Sequence, residues 1–77
     1  MANGKRNVAQ MKPGEVAVIA GLEDDDLSTK LMEMGCLPGT SIRFNFKAPL
    51  GDPVCISVSG YELSLRIAEA STISILN

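Results

Sequence analysis

The chain has 77 residues, 45% of them hydrophobic, with seven Lys and Arg against nine Asp and Glu for a formal charge of −2. That length supports one domain and excludes a second core, and the apolar content excludes disorder. No basic stripe of the kind on which nucleic-acid affinity rests is visible, and the largest charge run, Glu23-Asp24-Asp25-Asp26, is acidic, so no nucleic-acid partner is expected.

Residues 1–7 are polar and read as a flexible N-terminus ahead of a domain over 8–77. They lack the apolar stretch of a secretory signal. Pro13-Gly14 then marks a type II turn, with Pro presetting φ and Gly supplying a positive one. Glu15–Gly21 is short and β-branched, hence a strand, with Val16 and Val18 in one phase and Ile19 in the other. Its run Val16–Ala20, the longest apolar one, is far too short to span a bilayer.

The period then changes. Leu27, Leu31 and Met34 fall at i, i+4 and i+7, the stripe of an amphipathic helix. The acidic run just before it suits a helix start, where carboxylates cap free N–H groups and oppose the dipole. Gly35 supplies a left-handed stop and Pro38 prevents continuation, so Cys36 should pack back against Leu31. Pro38-Gly39 repeats the turn signal.

Period two returns in Thr40–Ala48, where Ile42, Phe44, Phe46 and Ala48 face inward and Ser41, Arg43, Asn45 and Lys47 outward. Val54, Ile56 and Val58 face inward in the next strand, leaving Cys55 on its polar face. Tyr61, Leu63 and Leu65 form a further inward set. Arg66–Ala70 reads as a short helical turn with Arg66 and Glu69 spaced to pair, and Ile73 and Ile75 point inward from the last strand. Five short strands cannot bury one face in an open sheet of this size, whereas a curled sheet shields that face and most edges. The expected fold is mainly β: a small five-stranded SH3-like barrel with one α-helix between the first and second strands and a short helical turn before the last.

Three strings, in this order and spacing, resemble the ferrous iron transport protein A (FeoA) family. They are Leu31-Met32-Glu33-Met34-Gly35-Cys36-Leu37-Pro38-Gly39, Pro49-Leu50-Gly51-Asp52-Pro53, and Gly60-Tyr61-Glu62-Leu63-Ser64-Leu65-Arg66 with Glu69-Ala70 beyond. The match runs from about Met11 to Leu76. The resemblance implies a cytoplasmic adaptor, monomeric or weakly self-associating. It would bind and modulate the cytoplasmic G-protein part of a membrane ferrous iron transporter, without inserting into the membrane itself. A related domain closes iron-dependent repressors, which gives the rival expectation of a metal- or ligand-sensing regulatory domain. One departure from the family pattern is Lys30, where Arg is more usual; the charge is kept and the planar fork is lost.

The residues offer little chemistry. Consecutive carboxylates at a helix start diverge, whereas a metal needs converging ligands, so capping is the expected role of Asp24–Asp26. Cys36 and Cys55 are two thiols where stable thiolate sites recruit four Cys or His ligands, and the chain has no His. The absence of His also removes Ser-His and Cys-His catalytic pairs, and no phosphate-binding Gly-x-x-x-x-Gly-Lys string is present. A non-enzymatic chain without cofactor or metal is expected. With all three aromatics assigned inward, no aromatic groove remains to read proline-rich peptides. Pro49–Pro53 joins two strands as a hairpin tip. It is either a rigid turn, with Asp52 capping its own backbone, or a proline-stiffened tip presenting Leu50 to a partner. Lys30 and Glu33, on the helix-covered end, are the second candidate surface.

Overall fold

The computed structural model describes residues 6–76. Strands β1 (Val16–Leu22), β2 (Ser41–Lys47), β3 (Val54–Val58), β4 (Tyr61–Leu65) and β5 (Ile73–Leu76) form one antiparallel sheet in the order β4-β3-β2-β1-β5. Helix α1 (Asp25–Glu33) lies between β1 and β2, and the four-residue α2 (Ile67–Ala70) between β4 and β5. This is the expected order. A 3-10 turn at Val8–Gln10, which no periodicity announces, precedes β1 and buries Val8.

All five strands and α1 contribute to one core. Phe44, Ile56, Leu65, Ile73, Ile19 and Leu31 are buried within it, and Leu27 and Met34 pack against its edge. The α1 stripe therefore faces the sheet as its spacing requires. Asp24 caps α1, its Oδ1 accepting the N–H groups of Asp26 and Leu27 at 2.8 and 3.1 Å. Gly35, at φ +100°, ends it. The N–H groups of Gly35 and Cys36 donate to the carbonyls of Met32 and Leu31, satisfying the last turn in the Schellman manner and burying Cys36. The hairpin between β3 and β4 turns on Ser59 and Gly60, both at positive φ, which matches the twist of the flanking strands.

Side-chain phases depart from simple alternation in β1 and β2, and each of the two carries a bulge. In β2 the register shifts between Phe44 and Phe46, so that Phe46 lies opposite Cys55. An extra residue reverses the alternation beyond it. Phe44 is fully buried, whereas Phe46 is 55% exposed and Ala48 lies past the strand. Cys55 does sit in the outward phase, yet it is buried, with Phe46 opposite and the Asn45 amide 3.8 Å from its Sγ. In β1 the core takes Ala17 and Ile19 and leaves Val16 exposed, opposite to the phase in which Val16 and Val18 stand. The shift between Ile19 and Gly21 accommodates the pairing with β5. Tyr61 is likewise at the surface, its hydroxyl donating to the Met34 carbonyl at 2.5 Å.

Of the segment expected to be flexible, residues 1–5 lie outside the described residues. Arg6 and Asn7 are tied to the sheet: Ile75 N–H donates to the Arg6 carbonyl, Asn7 bridges Ser74, and Arg6 Nη1 meets Glu15 Oε2 at 2.6 Å.

Candidate functional site

The hairpin tip is built from its backbone outward. Beyond the last β2–β3 pair, Lys47 with Val54, Ala48 N–H donates to the Pro53 carbonyl at 2.9 Å and Gly51 N–H to the Ala48 carbonyl at 2.7 Å. Pro49 has its φ fixed by its ring, and Gly51 takes φ +88°, a conformation that needs no Cβ. The Asp52–Pro53 peptide is cis. Asp52 does not cap its own loop. Its Oδ1 accepts the Ile67 N–H at 3.0 Å, the first N–H of α2, fifteen residues away in sequence. The loop is thereby closed at its base and fastened to α2. Its side chains are displayed: Pro49, Asp52 and Pro53 are exposed, and Leu50 is 95% exposed.

The second candidate surface proves to adjoin α2 as well. Lys30 Nζ is 2.8 Å from Glu69 Oε2, joining α1 to α2. Glu69 therefore pairs with Lys30, not with the Arg66 guanidinium; its other oxygen accepts the Arg66 backbone N–H at 2.9 Å. The Lys30 ammonium first, and that N–H second, hold the Glu69 carboxyl below the usual range. A flexible ammonium on a long stem makes this single contact without the Arg fork. Asp52 and Lys30 thus engage the same four-residue helix, two positions apart. Glu33, one turn beyond Lys30, is exposed.

Exposed apolar groups extend the surface beyond the residues named from sequence. Phe46 stands at the base of the tip, and Met32 and Leu37 flank the C-terminal end of α1. Their signal was hidden: Phe46 reads as core until the bulge is known, and Met32 and Leu37 lie off the stripe without a polar neighbour pattern. Among the described residues no pocket opens, and no group of three or more His, Cys, Asp or Glu could hold a metal ion. Cys36 and Cys55 are both buried thiols, and burial pushes the Cys36 thiol pKa up. No helix among these residues is long and apolar enough to cross a membrane. What the surface offers is a convex tip on a small, anchored support.

A family model described as the FeoA domain matches residues 6–76. A FeoA-like protein from Clostridium acetobutylicum, solved by NMR, has a TM-score of 0.88 and 30% identity, covering 97% of this chain and 88% of that one. FeoA of Stenotrophomonas maltophilia, crystallised with zinc, is described as a prokaryotic SH3 domain protein and suggested as a ferrous iron transport activating factor. It has a TM-score of 0.80 at 25% identity, covering 91% of this chain and 88% of that one. A manganese-dependent transcriptional repressor matches with a TM-score of 0.86 at 14% identity, covering 97% of this chain and 37% of that one. At that identity the likeness is of fold alone. No curated protein matches the chain.

Proposed function

The chain belongs to the FeoA domain family, and from that premise we propose that it is a small cytoplasmic adaptor that binds the cytoplasmic G-protein part of a membrane ferrous iron transporter and modulates Fe²⁺ uptake. The observation that carries the reading is Leu50. It is 95% exposed on a loop whose backbone is closed by two hydrogen bonds and fastened to α2 by Asp52. Exposed loops on rigid scaffolds are where binding residues concentrate, and a loop whose backbone is held before contact loses less entropy on binding. The mechanism is differential binding: an adaptor shifts its partner toward whichever conformation it grips more tightly. Pro49–Pro53 would provide the contact, with Lys30 and Glu33 on the adjoining end.

The test is capture from membranes of the source organism with this chain as bait. Recovery of the ferrous iron transporter by the wild type, and its loss with Leu50→Asp, is the expected result; a wild-type bait that leaves the transporter behind overturns the reading. The fold likeness to the repressor favours one rival, a metal-sensing regulatory domain. Anaerobic titration with Fe²⁺ or Mn²⁺ separates the two, since a saturable single site would favour the sensor.

A further inference from the structure

The two edges of the sheet are finished differently. At β5 the outer edge is covered: Ile75 N–H donates to the Arg6 carbonyl at 3.0 Å, and Asn7 bridges Ser74. At β4 it is open. The two-residue turn at Ser59 and Gly60 makes Val58 and Tyr61 a hydrogen-bonded pair, and alternation directs the backbone groups of Leu63 and Leu65 to β3 as well. Glu62 and Ser64 fall in the pairs between, so their N–H and C=O groups point away from β3. Both residues are exposed, and among the described residues neither backbone makes a further hydrogen bond. An open edge is a template for another strand, and proteins blunt it with proline, lysine or a bulge. β4 has none of these, and its register with β3 runs unbroken from Tyr61 to Leu65.

We infer that this edge pairs with the same edge of a second copy, antiparallel and centred on Leu63, joining two five-stranded sheets into one. The register follows from which groups are free. Centred on Leu63, Glu62 of each copy lies opposite Ser64 of the other, and both pairs exchange N–H···O bonds, using every open group. Leu63 meets Leu63 in the non-hydrogen-bonded position, where side chains come closest, and the half-exposed Tyr61 lies opposite Leu65. Centring on Glu62 would set two carboxylates directly opposite each other, which is destabilising. Centring on Ser64 would need the Arg66 backbone, whose N–H donates to Glu69 Oε1 and whose carbonyl accepts from Glu69 and Ala70. Charge agrees with the Leu63 register. Backbone at Arg66 is still extended, which carries its exposed side chain to the same face as Glu62. The two then sit diagonally across the pair of copies, within reach of long side chains. Within its own chain the Arg66 charge acts on Glu69, and Glu62 makes no ion pair among the described residues. Any extended strand could take the backbone bonds; a second copy adds the opposite charges, twice over, and the leucine contact.

A contact along one five-residue edge lies at the low end of interface size, so pairing is weak and concentration-dependent. The experiment follows the full chain by sedimentation equilibrium from about 10 µM to about 1 mM, a range that spans weak association, with amide exchange measured by NMR at both ends. Average mass should rise toward that of a dimer. The Glu62 and Ser64 amides, open in the single chain, should exchange about twofold more slowly where half the chains are paired. The Leu63 amide, already bonded to β3, should not change. Ser64→Pro removes a donor at a position where an edge tolerates proline, and should leave the chain monomeric at every concentration. Glu62→Lys asks nothing new of the backbone. It turns attraction for Arg66 of the second copy into repulsion and should weaken pairing about tenfold. A wild type that stays monomeric throughout overturns the inference. Self-association that leaves the Glu62 and Ser64 amides as open as before also overturns it, since the copies then meet elsewhere. Protection of those amides only on addition of the transporter's cytoplasmic G-protein domain would give the edge to a foreign strand, and self-pairing would fall. None of these outcomes bears on the reading of the Leu50 tip, which is tested separately.

Discussion

At the scale of single residues, Glu15 shows how one side chain fixes a chain end. Its carboxylate accepts from the Arg6 guanidinium at 2.6 and 3.0 Å and from the Lys12 N–H at 3.0 Å. The Arg6 contact above all, with the Lys12 N–H adding to it, pushes its pKa down to about 2. A depressed acid stabilises the fold fully above the ordinary carboxylate value of about 4.3 and loses that contribution as pH falls through the folded value. Stability should therefore decline between about pH 4.5 and 2, and Glu15→Gln should flatten that part of a pH series of melts. Leu31 makes the complementary case in the core. It is fully buried at the centre of the α1 stripe, so Leu31→Ala should cost about 2–5 kcal/mol, as buried leucine truncations do. A loss under about 0.5 kcal/mol in a thermal melt would contradict its placement. The spacing Leu27, Leu31, Met34 made this residue legible in advance. Phe46 was not, because the bulge that turns it outward depends on how β2 meets β3 and leaves no mark in the alternation itself. The same holds for Asp52, whose partner is an N–H fifteen positions on, and for Glu69, where Lys30 across the fold prevails over the neighbouring Arg66.

At the scale of elements, the helix ends were legible because their chemistry is local. An aspartate at the N-cap and a glycine after the last turn act within four residues of themselves. Gly35 also carries a constraint that only the fold reveals. Besides its φ of +100°, a Cβ there would collide with the Tyr61 hydroxyl, which donates to the Met34 carbonyl at the end of α1. Gly35→Ala should thus exceed the roughly 1–2 kcal/mol of left-handed strain alone. Combining it with Tyr61→Phe, which removes the colliding oxygen, should recover part of the loss in melting temperature. Equal losses in the single and double variants would mean that the close approach has no energetic weight. The phase of β1 was illegible for a different reason. Val16-Ala17-Val18-Ile19 is apolar in both phases, so alternation cannot choose between them, and the pairing of β1 with both β2 and β5 decides.

At the scale of the whole molecule, the barrel is held by an aliphatic core that includes Phe44, to which both helices contribute, Leu31 from α1 and Ala70 from α2. A fold of this kind draws its stability from apolar burial, and removal of a structural metal would be expected to unfold it only if a metal supplied folding energy. Circular dichroism spectra with and without EDTA should superimpose; collapse in EDTA would require ligands that the fold does not assemble among its described residues. In the proposed reading, function rests on what the frame displays. The five-residue tip was legible as a hairpin from its prolines and glycine, but its attachment to α2, and through Glu69 to Lys30, was not, because both bonds join residues distant in sequence. Through it, Asp52 of the tip and Lys30 of α1 both engage α2. The most direct test of the account is Leu50→Asp, measured in two ways. The free domain should melt within about 0.5 kcal/mol of the wild type, as exposed positions do. Titration against the transporter's cytoplasmic G-protein domain should show at least about 2 kcal/mol of lost binding, roughly thirtyfold in affinity. Undiminished affinity in a folded Leu50→Asp variant would contradict the account.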